Sequence, residues 1–172
     1  VSLQEALEKE LGINLYAVHR LDMDTSGIII YAKTRESEVN LKKQFEEHTI
    51  RKTYMARLCP ADSNRFAGKV RELKAGDKDT IELPLGPDYD ERPRQKVDSS
   101  QGKPALTEYE VTSVGKDGCI DLLFYPHTGR THQLRVHSAH LSGLGRPILG
   151  DLLYGGCGSV WSESGESRPS MN

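Results

Sequence analysis

The apolar residues of this chain fall into short runs of differing period, and the period predicts the elements. Leu3, Leu7 and Leu11 recur every fourth position with Gly12 just beyond, which predicts a helix over Ser2–Leu11. Leu15–His19 reads as a short strand. The apolar, β-branched run around Ile28-Ile29-Ile30 predicts a buried strand over Gly27–Ala32. Thr34 is a natural N-cap for a helix over Arg35–Glu47, with Glu36 in its first turn and Val39, Leu41 and Phe45 as apolar contacts. Tyr54–Leu58 alternates as a strand does.

Pro60–Lys69 reads as a loop. Strands are expected over Lys69–Leu73 and Thr80–Leu85, around the polar turn at Gly76-Asp77-Lys78-Asp79. Pro87–Pro104 is charged and Pro-rich and reads as a long loop, a length that often carries function. Ala105–Val114 and Cys119–Phe124 are strands joined by a Gly115-Lys116-Asp117-Gly118 turn. Thr128–Leu141 reads as a helix of about three turns, with a strand through Leu134 and Val136 as the rival. Gly155–Asn172 is rich in Ser, Gly and Glu and is expected to be a disordered tail or linker.

Composition narrows the class. With 172 residues, 36% hydrophobic and 28% charged, the chain suits one globular domain over residues 1–155, followed by the tail at 156–172. No apolar run approaches the roughly 20 residues that cross a bilayer, and Val1–Leu15 is not a signal peptide, so no membrane partner is expected. The chain opens on Val1, as a piece of a longer protein would. Cys59, Cys119 and Cys157 are odd in number and lack CxxC spacing, which argues for reduced thiols and an intracellular location. The formal charge of −2 announces no nucleic-acid partner, so such a partner must be argued from local clusters.

Four constellations bear chemistry. The first is His19-Arg20-Leu21-Asp22-Met23-Asp24-Thr25-Ser26-Gly27, a polar loop running into the isoleucine strand. A turn aspartate is more often a cap than a catalyst. A nucleophilic or basic carboxylate must stay ionised, which calls for a nearby cation. The second is Thr128-Gly129-Arg130-Thr131-His132-Gln133-Leu134-Arg135-Val136-His137, with two arginines, two histidines and a glutamine. On a helix, Arg130 and Leu134 share a face, as do Thr131 and Arg135. His137-x-x-His140 is a weak metal signal without an HExxH pattern. The third is Arg51-Lys52-Thr53-Tyr54-Met55-Ala56-Arg57. It is either an ordinary amphipathic strand or an aromatic platform with cations beside it, suited to a base and its phosphates. The fourth, Arg92-Pro93-Arg94-Gln95-Lys96, is either a solvated loop or a phosphate-tracking one.

Taken together, five ordered segments resemble the RluA-type pseudouridine synthases: HRLDMDTSG, RKTYMARL, RPRQ…GKPALTEYEV, HTGRTHQLRVH and PILGDLLYG. The resemblance runs from about His19 to Gly155. It implies an α+β fold, a bent, mixed, mainly antiparallel sheet flanked by helices with the catalytic cleft along one face. It implies that Asp22 is the catalytic aspartate, that Tyr54 stacks on the target uracil and that Arg135 pairs with the aspartate. Leu134 would line the pocket, Arg130 share the electrostatic role, and Arg20 fill the gap left by a flipped nucleotide. The reaction implied is an isomerisation of uridine to pseudouridine in structured RNA, with no cofactor and no metal. Asp22 would attack the ribose or take a ribose proton to give a glycal; both routes stay open.

The chain departs from the family in three places. No Asn-Lys-Pro-x-Gly-type strand precedes Ser2, which is what truncation would give, and the first strand of the implied sheet is not expected in this sequence. No stretch of the sequence given reads as an S4-like RNA-binding domain. The link His140–Pro147 is longer than usual. The expected partner is RNA, whether transfer, ribosomal or messenger, bound by a monomer. The compartment is cytoplasm, nucleus or mitochondrion. A non-catalytic RNA-binding module on the same fold, and a zinc hydrolase built on the histidines, are the rival classes.

Overall fold

The structure is a computed structural model that describes residues 1–61 and 70–155. The chain divides into two compact units, Val1–Arg51 and Lys52–Asn172. All strand pairings among the described residues are antiparallel.

The first unit holds α1 (Leu3–Leu11), β1 (Tyr16–Ala17), β2 (Tyr31–Ala32) and α2 (Arg35–Glu46). α1 begins with a reciprocal cap: the Ser2 hydroxyl accepts from Glu5 N, and the Glu5 carboxylate accepts from Ser2 N. It ends at Gly12, whose φ of 67° suits a residue without a Cβ. Gln4 Nε2 donates to Leu15 O and Glu8 Oε1 accepts from Leu15 N, both at 2.8 Å, tying the helix to the segment that enters β1. Thr34 caps α2 by accepting from Ser37 N. Within α2, Glu38 is buried between Arg35 (2.8 Å) and Lys42 (2.7 Å), and the Arg35 guanidinium lies 4.3 Å from the Tyr16 ring centroid.

The predicted buried strand over Gly27–Ala32 is a correction. Only Tyr31 and Ala32 pair, and Ile28 is 84% exposed. A β-branched run has the propensity for a strand, but pairing and burial come from partners elsewhere. Val39 on α2 is likewise exposed rather than packed.

The second unit is built on a four-stranded sheet in the order β3-β8-β7-β4: β3 (Tyr54–Leu58), β8 (Ile120–Pro126), β7 (Leu106–Val114) and β4 (Lys78–Glu82). Leu58, Val111, Ile120, Leu122 and Phe124 fill its core, with Leu144 and Ile148 from the C-terminal segment. β5 (Leu85–Pro87) pairs with β6 (Gln95–Val97) as a separate hairpin. The long loop expected over Pro87–Pro104 therefore contains a strand. Its short polar sequence carries no alternation, so the pairing with β5 is invisible locally. No strand forms over residues 70–73, although Leu73 is buried in the main core.

The last helix, α3, covers Gln133–Ala139 alone, so Thr128–His132 is a turn and not the first part of a helix. The buried Gln133 side chain holds that turn: Oε1 accepts from Arg130 N (3.0 Å) and Thr128 Oγ1 (2.8 Å), while Nε2 donates to Leu106 O (3.0 Å) and Thr107 Oγ1 (2.8 Å). α3 lies between two apolar clusters. Leu134 joins the main core, whereas Val136 and Ala139 pack with Leu85, Ala105 and Tyr154. Close packing follows α3: a Cβ on Gly143 would stand 2.0 Å from His137 O.

The expectation of three reduced cysteines is also corrected. Cys119 is free and buried, but Cys59 is disulfide-bonded, because spacing along a chain does not say which sulfurs meet in space. Cys157, the proposed tail from residue 156 onward and residues 62–69 of the expected loop lie outside the described residues. No helix among the described residues is long and apolar enough to cross a membrane.

Candidate active site

In the first unit, the loop that carries Asp22 is clamped at both ends by one imidazole. His19 Nε2 accepts from Ile30 N at 2.9 Å, and the His19 ring stacks on Phe45 at 4.9 Å between centroids. Between these anchors, Asp22 O accepts from Thr25 N at 3.0 Å, closing a turn over Met23 and Asp24. Asp22 is half-buried, while Arg20 is exposed beside it. Among the described residues no hydrogen bond or ion pair engages the Asp22 carboxylate.

In the second unit, Tyr54 opens β3. The strand's inward face runs from Leu58 and Ala56, both buried, to Tyr54, half-buried. Tyr54 packs against the main core cluster, of which Leu134 is a member. Pairing of Tyr54 with Phe124 places the ring at the end of β8, just before the Thr128–His132 turn. Arg130 sits in that turn, its Nε donating to Pro104 O at 2.9 Å, and so does not share a helix face with Leu134. Lys52, two residues before Tyr54, is half-buried, and its Nζ would lie 3.7 Å from a Cβ built on Gly129. Burial lowers the Lys52 ammonium below the ordinary lysine value.

Arg135 follows Leu134 on α3. Its Nε and Nη2 donate to the two oxygens of Asp151, each at 2.7 Å. The side chains are 15% and 5% exposed, so this is a nearly buried bidentate pair. Asp151 Oδ1 also accepts from Leu153 N (3.0 Å) and Tyr154 N (3.2 Å). The Tyr154 ring lies 5.0 Å from the Arg135 guanidinium and 5.5 Å from that of Arg94. Its hydroxyl accepts from Gln95 N (2.7 Å) and lies 2.8 Å from His132 Nδ1. Burial pushes the Tyr154 phenol up. Arg135 is thus fixed by the segment after α3 and, through Tyr154, tied to the β5–β6 hairpin.

Asp151 and Tyr154 are the residues that sequence reasoning did not assign. Both stand in PILGDLLYG, one of the quoted segments, and that was the available signal. His140 Nδ1 accepts from Ser142 N at 3.1 Å. His137 is fully buried, with Nδ1 3.0 Å from Thr107 Oγ1 and Nε2 3.3 Å from Leu83 O. Burial lowers its pKa to about 4.

Of the six residues singled out, Asp22 and Arg20 belong to the first unit, and Tyr54, Arg130, Leu134 and Arg135 to the second. Comparisons with known proteins bear on both units. A family model described as RNA pseudouridylate synthase matches residues 2–140. A dual-specificity RNA pseudouridine synthase RluA of Yersinia pestis is 46% identical over 138 residues, covering 80% of this chain and 60% of that protein. Its counterpart in Escherichia coli (strain K12) is 44% identical over 142 residues, covering 80% and 56%. The chain therefore spans little more than half the length of these curated relatives.

Among solved structures, human RNA Pseudouridylate Synthase Domain Containing 1 aligns with a TM-score of 0.76 at 29% identity, over 99% of this chain and 66% of that one. Human RNA Pseudouridylate Synthase Domain Containing 4 shares the fold, with a TM-score of 0.63 at 23% identity, over 88% and 56%. The family match spans the Asp22 loop, β3 and α3 alike, and on that ground the chain belongs to the RNA pseudouridylate synthase family.

Proposed function

We propose that the two units, over residues 1–155, act as one catalytic domain that isomerises uridine to pseudouridine in structured RNA. Asp22 is the catalytic carboxylate. Either it attacks the ribose at C1′, or it takes a ribose proton to give a glycal. In both routes the N1–C1′ bond breaks, the uracil turns in the pocket and C5 bonds to C1′, as the Asp22–C1′ ester breaks in the first route or as C2′ regains its proton from Asp22 in the second; the C5 proton then leaves and N1 ends protonated. Uracil departing through N1 carries negative charge, and a fixed cation stabilises it. Arg135 has that role, with Arg130 adding positive potential.

The observation that carries this reading is the half-buried Tyr54 packed against the core cluster that contains Leu134, with Arg135 next along α3 and locked by Asp151. An aromatic face and an apolar side chain suit a detached uracil that must be retained and kept dry. The base must first leave its stack, at a cost of a few kcal/mol in a duplex and less in a loop. Arg20, exposed beside Asp22, fills the vacated space. Specificity among transfer, ribosomal and messenger RNA follows RNA shape more than base reading. The protein acts inside the cell, as a monomer and away from membranes.

The test is tritium release from RNA labelled at uracil C5. Wild type releases tritium from at least one of transfer or ribosomal transcripts, and Asp22→Asn releases none while RNA affinity stays within a few fold. No release by wild type from any such pool would sink the enzyme reading. Cellular function that survives Asp22→Asn would favour a non-catalytic RNA-binding module instead.

A further inference from the structure

The inward face of β3 does not stop at Tyr54. The alternation of half-buried or buried with exposed residues continues back to Lys52, giving Leu58, Ala56, Tyr54 and Lys52 on one side and Arg57, Met55 and Thr53 on the other. Along this face the chemistry changes from aliphatic to aromatic to cationic as it leaves the core. Two extended residues separate Tyr54 from Lys52 by about 7 Å. That separation suits the distance from a nucleobase, across its ribose, to its phosphate.

Two further features set Lys52 apart from a solvated lysine. Its ammonium is half-buried, yet among the described residues no carboxylate or hydrogen-bond acceptor engages it. The two arginines of the neighbouring segment are engaged: Arg135 lies on Asp151 and Arg130 Nε on Pro104 O. The residue facing its Nζ is Gly129, where a Cβ would stand 3.7 Å away. Gly129 is not among the glycines with positive φ, so its backbone does not demand glycine. Glycine there lets the ammonium sit directly over the backbone of the turn.

We propose that Lys52 is the phosphate anchor of the site: its ammonium, at the rim between Tyr54 and the Gly129–Arg130 turn, binds a backbone phosphate of the nucleotide whose uracil stacks on Tyr54. The proposal deepens the synthase reading above and rests on it for the identity of the base. A phosphate there compensates a cation that the fold leaves desolvated and uncompensated, so the ordering cost is met before RNA arrives. It positions the ribose and takes no part in bond breaking.

The test uses the full 172-residue chain, with transfer and ribosomal transcripts tritiated at uracil C5 for activity and a fluorescent single-stranded uridine oligonucleotide for binding. Lys52→Gln raises KM about ten-fold with kcat nearly unchanged, as loss of one charge-assisted contact should. The slope of log affinity against log salt falls by about 0.7, the loss of one phosphate contact on a single strand. Lys52→Arg restores both. The melting temperature of Lys52→Gln matches wild type, which separates binding from folding. Unchanged KM and an unchanged salt slope in Lys52→Gln would overturn the proposal. If wild type releases no tritium, the synthase reading fails by itself, and the salt slope still decides whether Lys52 holds a phosphate.

Discussion

Arg135 and Asp151 are joined by two hydrogen bonds of 2.7 Å, sixteen residues apart in the chain and both nearly buried. The aspartate lies in the segment after α3, and the backbone N–H groups of Leu153 and Tyr154 fill its remaining acceptor capacity. A guanidinium held on one edge cannot swing, and its other edge keeps its direction. In the proposed reaction that rigidity is worth more than the charge alone, because a cation that needs no reorganisation stabilises developing charge best.

Asp151→Ala therefore strands a nearly buried cation. It is expected to cost about 3–5 kcal/mol of stability, and Asp151→Asn less. Denaturant unfolding measures both. Tritium release should fall in Asp151→Asn although Arg135 is unchanged, and Arg135→Lys should not substitute, because an ammonium lacks the planar fork that spans two carboxylate oxygens. Wild-type stability in Asp151→Ala would show that the pair contributes little.

His137 gives the protein an acid-sensitive joint. Its pKa is lowered from 6.5 to about 4 by burial, so between those values the unfolded chain binds a proton that the folded one refuses. Stability from this group is complete above pH 6.5 and falls as pH drops toward 4. The full loss is about 3 kcal/mol. Unfolding free energies at pH 7 and pH 4.5 should differ less in His137→Gln than in wild type. An equal difference in the two proteins would remove His137 as the cause.

Gln133 is expected to matter out of proportion to its neutrality. Its amide engages Thr128, Arg130, Leu106 and Thr107 at once. Gln133→Leu fills the volume but leaves several polar groups without partners, at about 1–3 kcal/mol for each one buried. Calorimetric melting tests the cost. RNA affinity should drop as well, because the turn that presents Gly129 and Arg130 loses its brace.

Local signals made some of this visible in the sequence and hid the rest. α1 and α2 were legible because their signals are local: the spacing of Leu3, Leu7 and Leu11 before Gly12, and the Thr34 cap, which the structure shows accepting from Ser37 N. β3 and the β7–β8 hairpin were legible because their residues alternate and a Gly-bounded turn joins the pair. The isoleucine run misled because pairing is non-local, and only Tyr31 and Ala32 found a partner. β6 was hidden for the converse reason, as polar Gln95-Lys96 pairs only because β5 lies beside it. At the site, the motif pointed to Tyr54, Leu134 and Arg135, but Asp151 as the holder of Arg135 needed the tertiary contact.

Tyr54 offers the sharpest division between packing and chemistry. Its ring packs against the core that contains Leu134, and its own side is half-exposed toward the rim. Tyr54→Ala removes the ring from both environments and should lower stability by about 2–4 kcal/mol, less than full burial of an aromatic would imply because the ring is only partly covered. Any loss of activity in that variant is then ambiguous. Tyr54→Phe keeps the packing and the stacking face, so its melting temperature should stay within a few degrees of wild type. If the ring's role is to stack on uracil, Tyr54→Phe retains RNA affinity, and stacking on an aromatic face is worth about 1–3 kcal/mol per base. Oligonucleotide affinity should then fall by ten-fold or more in Tyr54→Ala and by less than three-fold in Tyr54→Phe. Equal losses in the two variants would assign the tyrosine's contribution to its hydroxyl and not to its ring, and the Tyr54 ring would lose its claim as a base-stacking surface.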